Sequence, residues 1–464
     1  MMHLYKQCGQ NIVLDVYAGS VFAVDDLTYD LLTALSGWLS IPAAPDDAIL
    51  TALSGRYNET ELHSAWAEIF TLQEEGMLFA KDDYASMAVT ASVDSPVKAM
   101  CLHIAHDCNL RCKYCFAGEG DYGGAKRLMD IETAKRAIDF LIAHSGTRRN
   151  LEIDFFGGEP TLNFDVVKQT VAYARSLEEK RGKLFRFTLT TNGLLLNDAI
   201  NDFINAEMSN IVLSLDGRKE VNDSRRIRVD GSGSYDAVLP KYQKLIANRE
   251  KEALRGDEYY IRGTYTAHNL DFVNDILHLA DVSFDQISIE PVVADKSADY
   301  AIKPEHLETI YAQYDLLAEE MIRRAGTDKQ FNFFHYMLDL EQGPCAIKRL
   351  RGCGAGNEYI AVTPDGDVFP CHQFVGIDQY KMGSVHDGTV DESLKSFFAG
   401  LNIYTKEDCP DCWAKFYCSG GCAAASHVHC GHVRKPHEIS CLLEKKRLEC
   451  AIAVKIHLLD MNFD

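Results

Sequence analysis

Cys108, Cys112 and Cys115 stand at a CxxxCxxC spacing in "CNLRCKYC", three thiols with no fourth beside them. Zinc takes four ligands in a closed tetrahedron, usually from two CxxC pairs, so the trio is incomplete for that metal. An iron–sulfur cluster held by three thiolates keeps one iron open to a substrate, and soft sulfur ligation suits such clusters. A partial zinc site or three buried thiols is the blander alternative. Downstream, Gly157, Gly158, Glu159 and Pro160 form "GGEP". Two glycines permit close approach of a ligand to the backbone, and a carboxylate beside them can accept from an ammonium group. Gly-Gly-Glu-Pro is also an ordinary turn, and its weight comes from lying one β-α unit after the cysteines.

A second concentration of thiols lies near the C-terminus. "CPDCWAKFYCSGGC" sets Cys409, Cys412, Cys418 and Cys422 at CxxCx5Cx3C, with Cys441 further on. Upstream, Cys345 and Cys353 precede "TPDGDVFPC", where Gly366 and Cys371 make a GxxxxC ending. Paired CxxC zinc ribbons fit this spacing poorly.

The elements that must position these groups follow from periodicity. From Lys98, strand patterns at "AMCLHIA", "LEIDFF", "FRFTLTT", "NIVLSL", "YIRGTYT" and "QISIEPV" alternate with helical stretches such as "DIETAKRAIDFLIAH". Six β-α units imply a parallel sheet, open and doubly wound or a partial barrel, with chemistry at the C-terminal strand ends. The cysteine trio and GGEP fall there. Residues 1–90 read as a separate module: "NIVLDVYAGSVFAVDD" predicts a hairpin turning at Ala18-Gly19, and two helical stretches follow, the second opening at Asn58 and closing at Gly76. That order suits a winged-helix-like fold. With few basic residues it points to a peptide added to the hairpin edge rather than to nucleic acid, or to a packing module. Residues 91–335 hold the β-α units. Residues 336–464 are irregular, rich in cysteine and closed by an apparently amphipathic helix, so metal clusters would have to hold them together.

Composition bounds the rest. A chain of 464 residues with 47% hydrophobic and 25% charged residues is globular, and no apolar run is long enough to span a bilayer. The N-terminal "MMHLYKQCGQNIVLDV" lacks the features of a secretory signal, which places the protein in the cytoplasm. A net charge of −21 argues against nucleic acid or an anionic membrane as partner. Fifteen cysteines in a large chain of this kind read as reduced metal ligands rather than disulfides.

The order CxxxCxxC, GGEP, "TTNG" (Thr190 to Gly193) and "SLDG" (Ser214 to Gly217) resembles the radical S-adenosylmethionine superfamily. The resemblance implies a partial (β/α)6 barrel and a [4Fe-4S] cluster held by Cys108, Cys112 and Cys115, with its free iron chelated by the methionine part of S-adenosyl-L-methionine. It implies that the GGEP turn, Gly157 to Pro160, meets the methionyl ammonium and that Tyr114 packs near the adenine. Ser214, Asn192 and Arg226 would reach the ribose or carboxylate, with strand-end hydrogen bonding as the alternative role for the last two. The C-terminal cysteines resemble the SPASM extension of radical enzymes that modify peptides and proteins. That implies two auxiliary [4Fe-4S] clusters, three clusters in all. Cys353, Cys371 and Cys422, with Cys345 as the doubtful fourth, would hold the first, and Cys409, Cys412, Cys418 and Cys441 the second. Cys8, Cys101, Cys430 and Cys450 remain, expected as small buried hydrophobes. Anaerobic sulfatase maturases carry after the GxxxxC cysteine an Asp that serves as a base; here that position is His372, either a base or a packed histidine, and the departure counts against sulfatase maturation.

Along nearly the whole chain the sequence is similar to SCIFF maturases, in "YKQCGQNIVLDVYAGSVFAVDD" and "GPCAIKRLRGCGAGNEYIAVTPDGDVFPCHQF". This implies a thioether from a cysteine sulfur to the α-carbon of an acceptor in a small cysteine-rich precursor peptide, with a leader bound by the N-terminal module. An electron donor such as flavodoxin or ferredoxin would supply the cluster. Another SPASM maturase, forming a β- or γ-carbon thioether or oxidising a side chain, is the alternative within the same class. A pure electron-transfer protein would need the clusters but not GGEP, TTNG or the N-terminal module.

Overall fold

The computed structural model of the chain describes residues 1–91, 95–251, 258–340 and 349–461. An antiparallel meander opens it: β1 (Met2–Gln7), β2 (Gln10–Asp15) and β3 (Val21–Val24). The hairpin expected at Ala18-Gly19 is the β2–β3 connection. Strand β1 was not anticipated, because His3, Lys6 and Gln7 dilute its alternation. Both faces of this sheet are covered, which is why "NIVL" is a continuous apolar run. Val13 packs with Leu31, Trp66 and Ile69 of the helices that follow. Ile12 and Leu14 pack the other way, against Ile452 and Ala453 near the C-terminus. The helices Asp26–Ala34, Asp47–Leu53 and Glu59–Glu74 each begin at a side chain, Asp25, Asp46 or Asn58, that accepts from free N–H groups of the first turn.

All six anticipated core strands form. They are β4 (Ala99–His106), β7 (Asn150–Gly157), β8 (Leu184–Thr191), β9 (Asn210–Ser214), β11 (Tyr259–Tyr265) and β12 (Gln286–Pro291). Each pairs in parallel with its neighbour in chain order. Sequential order without reversal is singly wound, which disposes of the doubly wound alternative. Between β4 and β7 lie the short β5 (Leu110–Cys112) and β6 (Arg127–Leu128), and β10 (Arg226–Arg228) follows β9. On β4, Met100, Leu102 and Ile104 join the main core with the outer helices, while Cys101 and His103 take the opposite face.

The sheet runs on past residue 335. A short β13 (Asn332–Phe333) extends it beyond β12, and β14 (Tyr359–Val362) lies parallel to β4 on its other side and pairs in turn with β15 (Asp367–Phe369). The first of the six parallel strands is thus directly bonded to the cysteine-rich region. The closing helix, Glu438–Asp460, is not the amphipathic helix expected. Cys450, Ala451, Ile452, Ala453 and Val454 are all buried in succession. Cys450, Ala451 and Val454 belong to the main core, and Ile452 and Ala453 to the core under the N-terminal sheet. A helix wedged between two bodies needs apolar residues all round.

Candidate active site and cluster ligands

The trio emerges at the C-terminal end of β4, with Cys112 on β5. Cys112 pairs directly with Arg226 in the antiparallel β5–β10 ladder, which delivers that guanidinium to the cysteines by backbone register. Burial pushes the Cys108 and Cys112 thiols up to about 11 and about 12, with Arg226 opposing at both. Thiols so placed give up their protons to a metal rather than to water. A Cβ at Gly120 would lie 2.7 Å from Cys108 Cβ, so the loop after the trio closes tightly over the first thiol.

Tyr114 donates from its hydroxyl to both carboxylate oxygens of Asp216 at 2.8 Å, and Arg226 Nη1 donates to that hydroxyl at 2.7 Å. Arg226 and Asp216 are themselves 3.6 Å apart, with Asp216 wholly buried. Asp216, the acid of "SLDG", therefore orders two of the expected S-adenosylmethionine contacts. Sequence reading singled out Ser214 and passed over it. Ser214 ends β9, partly exposed, in register with Arg262.

The GGEP turn does something other than expected. A Cβ at Gly157 would sit 2.2 Å from the Ala105 carbonyl oxygen and one at Gly158 2.2 Å from that of Asp107. The glycines admit the chain's own β4 backbone, not a ligand. The Glu159 carboxylate is likewise spent inside the protein: it accepts from Thr161 N at 3.1 Å, from Thr191 Oγ1 at 2.7 Å and from Asn192 N at 2.7 Å. It is 1% exposed, its oxygens taken up by these internal donors. Pro160 starts the short helix Pro160–Asn163 that fixes the turn. Asn192 is brought to the trio, its Nδ2 donating to Asn109 Oδ1 at 2.7 Å and lying 3.6 Å from Cys108 Sγ.

Inside the sheet a polar and aromatic cluster was missed. His103 and His106 share a hydrogen bond of 3.0 Å, and both rings pack on Tyr122, whose hydroxyl donates to the Gly157 carbonyl. The inward parity of His103 with Cys101 was the available signal. His372 lies beyond, 4.9 Å from the Phe156 ring and 5.5 Å from that of Phe116. Burial lowers it to about 4, so it is neutral near pH 7, and its buried Nδ1 has no partner among the described residues.

The C-terminal thiols separate into two groups. Cys371, pushed up by burial, feels the charges of Cys422 and Cys353. Cys409, Cys412, Cys418 and Cys441 line one cavity of about 610 Å3, together with Cys430. Burial raises Cys409 to about 11 and Cys418 to about 12. Among the described residues no three ligating side chains converge on a single ion, whereas thiols around a cavity suit a cluster. Cys345 lies outside the described residues. Of the four spare cysteines, Cys101 and Cys450 are buried and Cys8 and Cys430 partly exposed.

This combination defines a chain with two iron–sulfur modules of known kind. Residues 102–251 match the Radical SAM superfamily, and residues 353–413 match SPASM, an iron–sulfur cluster-binding domain. The chain is 26% identical over 339 residues to the cysteine-type anaerobic sulfatase-maturating enzyme of Clostridium novyi, covering 68% of this chain and 85% of that one. Among solved structures it resembles anSMEcpe with bound AdoMet and a peptide, at a TM-score of 0.62 and 19% identity, over 79% of this chain and all of that one. SuiB of Streptococcus suis, bound to precursor peptide SuiA, matches at a TM-score of 0.52 and 14% identity, over 94% of this chain and 98% of that one. These likenesses establish the radical SAM α/β fold. Among the described residues no helix is long and apolar enough to cross a membrane.

Proposed function

We propose that the protein is a radical SAM/SPASM maturase that joins a cysteine sulfur to the α-carbon of an acceptor residue in a small cysteine-rich, SCIFF-type precursor peptide. When bound at Cys108, Cys112 and Cys115, the reduced cluster supplies the electron that cleaves S-adenosylmethionine to a 5′-deoxyadenosyl radical. The chain's own residues bind, orient and exclude water. Tyr114, Asp216 and Arg226 hold one flank of the cofactor pocket, and the Glu159 carboxylate locks the β7 and β8 turns that form its floor.

The observation that carries the reading is Tyr122. Its hydroxyl donates to the Gly157 carbonyl of the GGEP turn at 3.1 Å, and the thiols whose charge would bear on that hydroxyl are Cys101, Cys115, Cys108 and Cys371, drawn from both the trio and the first C-terminal set. Cys353, Cys371 and Cys422 would hold the first auxiliary cluster, and with only these three thiolates it would keep a position for a donor thiolate of the peptide. Neutral His372, next to Cys371, is placed to accept a donor or acceptor proton. A sulfatase-maturating enzyme among the relatives and a similar structure bound to its precursor peptide support a peptide substrate. The winged-helix-like N-terminal module (1–90) would bind the leader along β3, which pairs on one side only among the described residues. The partial (β/α)6 barrel (91–335) and the SPASM domain with its two auxiliary clusters (336–464) complete the enzyme, a cytoplasmic oxidoreductase fed by flavodoxin or ferredoxin.

The test is anaerobic incubation of reconstituted enzyme with S-adenosylmethionine, reductant and such a peptide, followed by mass spectrometry. A product lighter by two hydrogen atoms, with one thiol lost and fragmentation locating the bond at Cα, is expected. A bond at Cβ or Cγ would shift the assignment to the other maturase chemistry. Absence of 5′-deoxyadenosine from fully loaded protein would sink the radical reading.

A further inference from the structure

Lys406 is a buried cation with no carboxylate partner among the described residues. It is 5% exposed, and its Nζ donates to the Gly420 carbonyl at 2.6 Å and reaches that of Gly421 at 3.5 Å. Both carbonyls lie in the turn Ser419, Gly420 and Gly421, three successive residues with left-handed φ of 58°, 82° and 66°. This turn is where the two ligand sets part, since Cys418 just before it belongs to the second and Cys422 just after it to the first. A Cβ at Gly420 would stand 3.1 Å from Lys406 Cδ, so the lysine stem lies along the turn. The charges that act on the ammonium are thiols from both sets: Cys409 and Cys418 of one, Cys422 and Cys353 of the other. The influence is mutual at Cys409 and Cys422, and Lys406 also acts on Cys441.

A buried ammonium satisfied only by carbonyls is costly unless anions stand near it. Two thiolate-ligated clusters would be those anions. We propose that Lys406 is a positioning residue shared by both auxiliary clusters: its ammonium pins the turn that divides their ligands and stabilises the one-electron-reduced state of each. In that step a [4Fe-4S]2+ centre takes one electron from a reductant and becomes [4Fe-4S]+, with no bond made or broken. The added negative charge is what the ammonium favours. This makes the pair better electron acceptors, which suits an oxidative bond formation. The inference rests on the ligand sets of the proposed function.

The experiment is a dithionite titration of the anaerobically reconstituted full chain, followed by electron paramagnetic resonance, for wild type, Lys406→Gln and Lys406→Arg. In Lys406→Gln the reduced-to-oxidised ratio at a fixed potential should fall about tenfold at both auxiliary clusters, which is about 59 mV for a one-electron couple. The cluster at Cys108, Cys112 and Cys115 should be unmoved, and Lys406→Arg should stay near wild type. Unchanged auxiliary potentials in a fully loaded Lys406→Gln, or a shift at one cluster alone, overturn the shared role. Should Lys406→Gln lose iron, enzyme labelled with 15N at the lysine side chain decides. Nitrogen coupling at both reduced clusters, lost in Lys406→Arg, supports the proposal, and coupling unaltered by that substitution overturns it. A wild type without two auxiliary signals would instead refute the ligand assignment itself.

Discussion

Asp216 shows how far a single carboxylate can organise a site without touching its ligand. It takes Tyr114's hydroxyl and faces Arg226, while the Thr264 N–H donates to it at 3.1 Å. Asp216→Asn replaces an anion with an amide beside a buried guanidinium, and a charged hydrogen bond of this kind is worth about 1.5–3 kcal/mol. S-adenosylmethionine binding, measured by equilibrium dialysis on reconstituted enzyme, should weaken about tenfold or more, with iron content retained. Asp154 makes a different residue-scale prediction. Burial, then the charge of Glu152, raises its carboxyl to about 7 from the ordinary 3.8. A raised acid contributes its full stability below about pH 4 and loses it as pH rises through 7. Urea midpoints of the wild type should therefore fall between pH 5 and pH 8, and Asp154→Asn should flatten that slope. A parallel slope in the variant would assign the dependence elsewhere.

At the scale of elements, two strand-end turns beside the cysteine trio are tied by one side chain. Glu159 after β7 collects donors from Thr161, from Thr191 at the end of β8 and from Asn192 beyond it. Glu159→Gln puts an NH2 where donors point, leaving buried N–H and O–H groups unmatched at about 1–3 kcal/mol each. Loss of roughly 3 kcal/mol in chemical unfolding, with weakened S-adenosylmethionine binding, is the expected outcome. The six parallel strands were legible because each is an apolar run bounded by turn residues, and the trio because its spacing is its own signal. Other elements were not. Strand β1 is masked by polar residues that contact distant parts of the chain, as in the Gln7–Asp315 hydrogen bond of 2.7 Å. The packing of GGEP was not legible because a glycine's tolerance of close approach does not say what approaches, here the β4 backbone and the residue after it. The His103–His106–Tyr122 cluster joins groups whose meeting depends on the left-handed Tyr122, at φ 57°. The parity of His103 on β4 was legible, whereas the conformation of Tyr122 has no local signature.

Across the whole molecule, the N-terminal module is fastened to the loop that carries the second thiol set. Lys415 lies between Cys412 and Cys418 with its side chain wholly buried, and it pairs with Asp82 at 2.9 Å. Tyr404 donates to the same carboxylate at 2.6 Å, and the Lys415 ammonium sits 4.7 Å from the Tyr17 ring centre. On the other flank His3 stacks on Trp413, the neighbour of Cys412, with ring centres 3.8 Å apart, and bonds to Glu449 of the closing helix at 2.9 Å. A module held this way cannot be released without disturbing the cysteine loop, because the same residues serve both. Removing one partner of a buried pair strands the other, at about 3–5 kcal/mol. Asp82→Ala should thus act at a distance: the second cluster is lost first on dilution into chelator, while the radical SAM cluster persists. Iron content and cluster-specific paramagnetic signals followed over time check this. Equal rates of loss at all clusters would show that the contact only docks the module, whereas selective loss would tie the integrity of the second auxiliary cluster to the element proposed to grip the peptide leader.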